Sequence, residues 1–390
     1  MRSPLADIVV VALEQAVSAP LCTRHLADMG ARVVKIEPRH GGDFTRLYDG
    51  TVRGLAAHFV WLNHGKESVA LELKKPEGRA LLEDLLARAD VFVCNLAPGA
   101  AARMDLDGAS LRPRFPRLVV AEITGYGQGG PLEHKRAYDL LVQAEGGSCS
   151  ITGAPGAPAK PGIPIADTAT GLYALSGILA ALYDRASTGL GTVLSISMLD
   201  AVAELMGFAI NQTMHSGVAP EPVGLGSPMV APYGAYPTRD GATVVLGTTN
   251  DSEWQRLART MLGRDDLADN PTYARNSDRV AARDVLDGVI AAWCADLDLA
   301  EIQHRADAAR IGNSRLNTVA DLIEHAQLRE RGRWHEVPSP VGPLPVLAAP
   351  FLGVDWPVRA DGVPALGEHT VAVVTELGHS VEKLTAADVI

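Results

Sequence analysis

Asp167 carries the only charge in "PGIPIADTATGLYALSGILAALY", residues 161–183. Leu172, Leu175, Ile178, Leu179 and Leu182 recur at the spacing of one buried helix face, so the carboxylate stands where a helix begins and the chain enters the core. Two readings are open at this point. As an N-cap, Asp167 accepts hydrogen bonds from the free amides of the first turn. As a catalytic carboxylate, it supplies a nucleophile or base at the mouth of that core. A second set of residues is cationic. Arg39 follows "VVKIE", Lys74 follows "SVALEL", Arg103 follows "VFVCNLAPGAAA", and Arg136 follows the glycine-rich "GYGQGGP". Each falls in a loop leaving the carboxyl end of a strand, where open α/β sheets bind ligands. Four cations converging there suit a polyphosphate.

The elements that must position these groups follow from hydrophobic patterning. Over the first 125 residues, branched-aliphatic runs ("DIVVVAL", "ARVVKIE", "SVALEL", "VFVCNL", "RLVVAEITGYG") alternate with amphipathic segments ("LCTRHLADMG", "PEGRALLEDLLARAD"). That alternation predicts βαβ units and a mostly parallel sheet. The first βα turn, "EQAVSAP", lacks the glycine fingerprint of a dinucleotide fold, and "GYGQGGP" lacks the Lys-Ser/Thr of a P-loop. "TVLSIS" reads as a further strand, and the stretch after it as one long helix ending near Gly217. The proline-rich 218–232 reads as a linker, and "YGAYPTRDGATVVLGT" as a hairpin turning at Asp240-Gly241, opening a second, smaller domain.

Bulk properties narrow the function classes. With 390 residues, 47% hydrophobic and 21% charged, the chain has a large core to bury. A formal net charge of −11 argues against nucleic acid or an anionic membrane as partner. Cys22, Cys94, Cys149 and Cys294 are scattered, without CxxC pairs or His at ligand spacing, which predicts a reduced, cytoplasmic protein without zinc. No signal-type segment opens the chain, and the apolar helix expected over 172–183 is too short to span a bilayer, so a soluble protein is expected.

The chain resembles the class III CoA-transferases, a superfamily that includes formyl-CoA transferase, carnitine CoA-transferases and α-methylacyl-CoA racemases. The resemblance rests on "EQAVSAP", "GARVVKIE" then "GGDFTR", "LNHGKESVALELKKPEG", "NLAPGAAARM", "GYGQGGP", "AYDLLVQAEGG", "ADTATGLYALSGILAAL" and "LGEHT", in the family's order and spacing. It implies a Rossmann-like parallel-sheet domain plus a smaller α+β domain in an interlocked homodimer. Residues 1–217 would form the first part of the CoA-binding domain, 218–330 the linker and small domain, and 331–390 a segment returning to the first. Asp167 matches the family's nucleophile, and Gln15 the active-site glutamine. Arg39, Lys74, Arg103 and Arg136 match or adjoin the positions that hold the nucleotide and diphosphate of CoA, while Leu71, Asn95, Leu96 and Tyr138 fall where the family lines the CoA channel.

The activity implied is transfer of CoA from an acyl-CoA such as succinyl-CoA to a short carboxylic or dicarboxylic acid through a covalent aspartyl intermediate, with no prosthetic group. A helix N-terminus behind Asp167 would keep it ionised. Two alternatives remain at this stage: a racemase or epimerase on the same fold, and a non-catalytic acyl-CoA-binding protein. The first needs a His-Asp pair after the glycine loop, where this chain reads "LEHKRAYDLL". The second has no use for Asp167 and Gln15 together.

Overall fold

The computed structural model describes every residue except Met1, Leu352 and Val354. The chain divides into two compact units, one formed by residues 1–147, 161–207 and 327–390, the other by 148–160 and 208–326. The junctions expected at 217/218 and 330/331 thus fall at 207/208 and 326/327. The long helix expected to end near Gly217 is two helices, Met198–Leu205 and Gly207–Ser216, broken where a glycine weakens helix propagation.

The first unit is built on six strands: β1 (Val9–Leu13), β2 (Arg32–Glu37), β3 (Lys66–Ala70), β4 (Val91–Cys94), β5 (Val119–Thr124) and β6 (Val193–Ser197). They pair in parallel in the order β3-β2-β1-β4-β5-β6. Such a sheet is covered on both faces, which is why β1 reads "VVVAL" and β4 "VFVC" without polar alternation. One face packs Val11, Val34 and Phe92 on Leu81, Leu82, Leu85 and Leu86 of a helix that Pro76 opens. The other packs Val10, Val93 and Ala121 beneath α1 (Ser18–Asp28) and a helix at Ile165–Thr188.

That helix, called α3 below, with α2 the short helix Asp139–Glu145, differs from expectation in two ways. It runs 24 residues and is long and apolar enough to cross a membrane by length and composition, whereas a shorter element was expected over 172–183. In this fold it is a core helix, with Ala174, Leu175, Ile178 and Ala181 packed against the sheet. Leu172, expected on the buried face, is exposed. Over the first half of the helix the buried stripe is made of smaller residues, Ala166, Ala169, Thr170, Gly171 and Ala174, because α1 lies close against it; Leu175 and Ile178 are buried further along, as expected.

The second unit carries a three-stranded antiparallel sheet of β7 (Tyr233–Pro237), β8 (Thr243–Gly247) and β9 (Gly312–Arg315), with β8 in the middle. The β7–β8 connection turns at Asp240-Gly241, as its sequence predicts, with Gly241 at φ +78°. Trp254, Leu257, Leu286 and Ile290 form its core.

Candidate active site

A cavity of about 420 Å³ opens over the carboxyl ends of β1, β4 and β5. It straddles β1 and β4, the neighbours at which strand order reverses, and the loops there diverge to leave a crevice. Gln15 enters its wall from the loop after β1, Asn95 and Leu96 from the loop after β4, and Gly125 and Gly127 from the glycine loop after β5. Arg136, Tyr138 and Asp167 complete the set that sequence reading brings together here.

Asp167 is not an N-cap. Its helix α3 begins at Ile165, and Asp167 is the third helical residue. The cap is supplied from another element: Oδ1 of Asp139, the first residue of α2, accepts the amides of Ala166 at 3.0 Å and Asp167 at 3.3 Å. Gln143, one turn along α2, donates to the other oxygen of Asp139 at 2.6 Å. The Asp167 carboxylate is thereby left for the cavity. Ser18, at the N-terminus of α1, lines the cavity beside it, and its hydroxyl and backbone amide favour the charged form.

Helix α1 can bring Ser18 so close only because residue 171, one turn after Asp167 on the same face, is glycine. A Cβ there would meet the carbonyl oxygen of Ser18 at 2.6 Å. Burial, and next the negative charge of Asp139, push the Asp167 carboxyl up to about 7, while the Ser18 hydrogen bonds oppose them. The helix N-terminus expected to keep Asp167 ionised is therefore outweighed; its free amides are spent on Asp139.

Gln15 is held by its backbone. Asn95 Oδ1 accepts the Gln15 amide at 2.9 Å and Asn95 Nδ2 donates to the Gln15 carbonyl at 2.7 Å, so the two loops are locked edge to edge. Next to it Ala16 adopts φ +64°, a left-handed conformation rare for residues with a Cβ.

The predicted cations disperse. Arg136 lines the cavity. Arg103 ends the short helix Ala100–Arg103 on the surface, while its neighbours Ala101 and Ala102 line the wall. Arg39 is bound to the carboxylate of Asp388, to which Lys75 also donates at 3.1 Å. Lys74 is exposed, and Leu71 is buried in the core below the sheet edge; neither lines the cavity.

Ser18, Asp139, Ala16 and Gly171 were not singled out by sequence reading. Asp139 carried a faint signal, an acid opening the helical "DLLVQAE", but nothing local says that it caps a helix elsewhere.

The site is a crevice at the switch point of a Rossmann-like parallel sheet, without a dinucleotide cradle, in which Asp167 shares the lining with Asp107, Glu122 and Glu133. Residues 5–370 match the model of CoA-transferase family III, and the chain belongs to that family. It is 33% identical to the succinate–glutarate CoA-transferase of Agrobacterium fabrum, over 96% of each chain. It is 33% identical to the succinyl-CoA–D-citramalate CoA-transferase of Chloroflexus aurantiacus, over 96% of this chain and 94% of that one. A CAIB/BAIF family protein from Brucella suis superposes with a TM-score of 0.84 at 32% identity, covering 97% of this chain and all of the other.

Proposed function

We propose that this CoA-transferase moves CoA from succinyl-CoA to a short dicarboxylic acid through covalent intermediates on Asp167. The observation that carries the reading is the Asp167 carboxylate itself, exempted from capping by Asp139 and turned to the cavity between Ser18 and Gln15.

The chemistry balances without a metal or redox step. An Asp167 oxygen attacks the thioester carbonyl, the C–S bond breaks, and a mixed anhydride forms with CoA thiolate as leaving group. The thiolate then attacks the Asp167 acyl carbon, expelling succinate and leaving an aspartyl-CoA thioester. The acceptor carboxylate attacks that thioester to give a second anhydride, and the returning thiolate takes the acceptor's acyl group, regenerating Asp167. Each step needs donors for a tetrahedral oxyanion and exclusion of water from the anhydride. The amides of the glycine loop and the Gln15 side chain adjoin the place where that charge develops.

Succinyl-CoA and a dicarboxylate acceptor are supported by the names of the two relatives above, which carry glutarate and D-citramalate. The acceptor test is a panel of C2–C6 carboxylic acids incubated with succinyl-CoA, with the CoA esters read by mass spectrometry. Transfer to C4–C5 dicarboxylates is expected to exceed transfer to monocarboxylates at least tenfold; the reverse order would remove this substrate assignment. Arg39, Lys74, Arg103 and Arg136 are assigned to the CoA nucleotide, with Leu71, Asn95, Leu96 and Tyr138 along the pantetheine arm. For Arg39 and Lys74 this requires the nucleotide to lie across the rim, beyond the cavity proper.

We also propose an interlocked homodimer. Support comes from the apolar side chains that the first unit leaves on its surface, among them Leu172, Tyr173 and Tyr183 of α3 and Leu140 and Leu141 of α2. Light scattering at micromolar concentration should give twice the chain mass; a folded monomer contradicts it.

A further inference from the structure

Beneath the loop that carries Gln15 lies a group of fully buried charges that takes no part in lining the cavity. Glu14 and Lys35, with Lys66 from β3, are buried, and Lys35 and Lys66 are cations in the interior of the sheet domain. Lys66 donates to Glu14 Oε1 at 2.6 Å, to the Pro20 carbonyl at 3.0 Å and to Asn63 at 3.1 Å, and Thr23 donates to the other Glu14 oxygen at 2.7 Å. Those contacts account for Lys66 as the partner of Glu14. Lys35 is placed differently. Its ammonium donates to Asp43 Oδ2 at 2.8 Å and reaches Glu14 at both Oε1, 3.4 Å away, and the backbone carbonyl, 3.5 Å away, so it ties Asp43 to the residue before Gln15.

Asp43 converts that ion pair into backbone geometry. Its Oδ1 accepts the amide of Thr45 at 3.0 Å and the amide of Ala16 at 3.3 Å. Ala16 is the residue held at φ +64°, a conformation that a side-chain-bearing residue keeps only when its surroundings enforce it. With Asn95 gripping the far edge of Gln15, the Lys35–Asp43 pair is the restraint on the near edge. We propose that Lys35 is a positioning residue for CoA transfer, acting through Asp43 to hold the left-handed turn at Ala16 and so keep Gln15 aimed into the cavity.

The inference rests on transfer through Asp167, and the experiment separates the two. Lys35→Met and Asp43→Asn are each made alone and with Ala16→Gly, and kcat and KM for succinyl-CoA are measured with the best acceptor. Asp43→Asn keeps the side chain's shape and an amide acceptor while removing the charge that Lys35 needs, so it carries the test if Lys35→Met does not fold. A lost restraint lets Ala16 relax to negative φ and swings Gln15 away. The expectation is a kcat reduced at least tenfold with KM changed less than threefold, since neither Lys35 nor Asp43 lines the cavity. Glycine adopts positive φ without being held there, so adding Ala16→Gly should restore kcat at least fivefold over the single variants.

A purely structural role for Lys35 predicts a loss that glycine does not recover. That outcome, or a kcat within twofold of the parent in a folded single variant, overturns the proposal. The parent is run alongside for a covalent adduct at Asp167. Its absence would defeat the aspartyl reading itself, whereas an adduct in the parent with unaffected variants would defeat only the role of Lys35.

Discussion

An aspartate that attacks a thioester has to be ionised, yet Asp167 sits where burial and the charge of Asp139 resist ionisation and hold its carboxyl up to about 7. A basic, poorly solvated carboxylate is the better nucleophile, provided the pH leaves it charged. The expected consequence is that kcat/KM falls as pH drops through an apparent value near 7. Asp139→Asn keeps the capping oxygen but removes the neighbouring charge, so it should move that limb to lower pH; a limb unmoved by this change would show that the two carboxyls are not coupled. The same shift predicts a stability effect of opposite sense to that of a salt-bridged acid. The folded pKa is raised above the unfolded value, so the native state binds the extra proton between about pH 4 and 7, and stability declines as pH rises across that window. Asp167→Asn should therefore be more stable than the parent at pH 8, by up to about 4 kcal/mol, with the gap closing near pH 4. Thermal unfolding at the two pH values checks this. The importance of Asp167 was legible in the sequence as a lone charge before an apolar run. Its partners were not: Asp139 acts across 28 positions, and Ser18 arrives on a different helix, so no local spacing records either contact.

The helices do the positioning, and one contact between them decides the distance. Gly171 lets α1 lie against α3 with its Ser18 carbonyl where a Cβ would otherwise sit. In Gly171→Ala the helices must separate by some tenths of an ångström or more, at a cost of about 1–3 kcal/mol of the kind that overpacking produces. Because Ser18 is the Asp167 partner, turnover should fall at least tenfold, with the Michaelis constant for acyl-CoA little changed. Unchanged turnover in the alanine variant would mean that Ser18 does not set the carboxylate. At this scale the alternation of strands and helices was plain in the sequence, because a parallel sheet buried on both faces writes continuous aliphatic runs. The exceptions have a physical cause. β3 begins at Lys66 and Glu67 rather than at Ser68, and a strand opening on two charges looks like a loop until Glu14 is seen to neutralise Lys66 inside the fold. Leu172 was assigned to the buried side because leucine spacing alone does not reveal that a close helix neighbour requires small residues instead.

For the molecule as a whole, a net charge of −11 opposes the approach of a polyanionic acyl-CoA, and the cations at the cavity, Lys135 and Arg136, offset it locally. Arg136 is the predicted cation that lines the cavity, and its replacement by alanine should raise KM for acyl-CoA at least tenfold, the worth of a phosphate contact of about 1.5–3 kcal/mol. Neutralising an exposed arginine of the same unit that does not line the cavity, such as Arg112, should leave KM within twofold and serves as the control. The crevice, the loops that line it and the helix behind it converge on a single chemical claim, that Asp167 becomes covalently modified in each turnover. Mass spectrometry of the enzyme quenched during incubation with succinyl-CoA, followed by digestion, tests this most directly. A CoA or succinyl adduct is expected on the peptide containing "IPIADTATGLY", localised to Asp167 and absent from a folded Asp167→Asn protein that has lost several orders of magnitude in turnover. An adduct on Asp139, Glu145 or any other residue, or an active Asn variant, would contradict it.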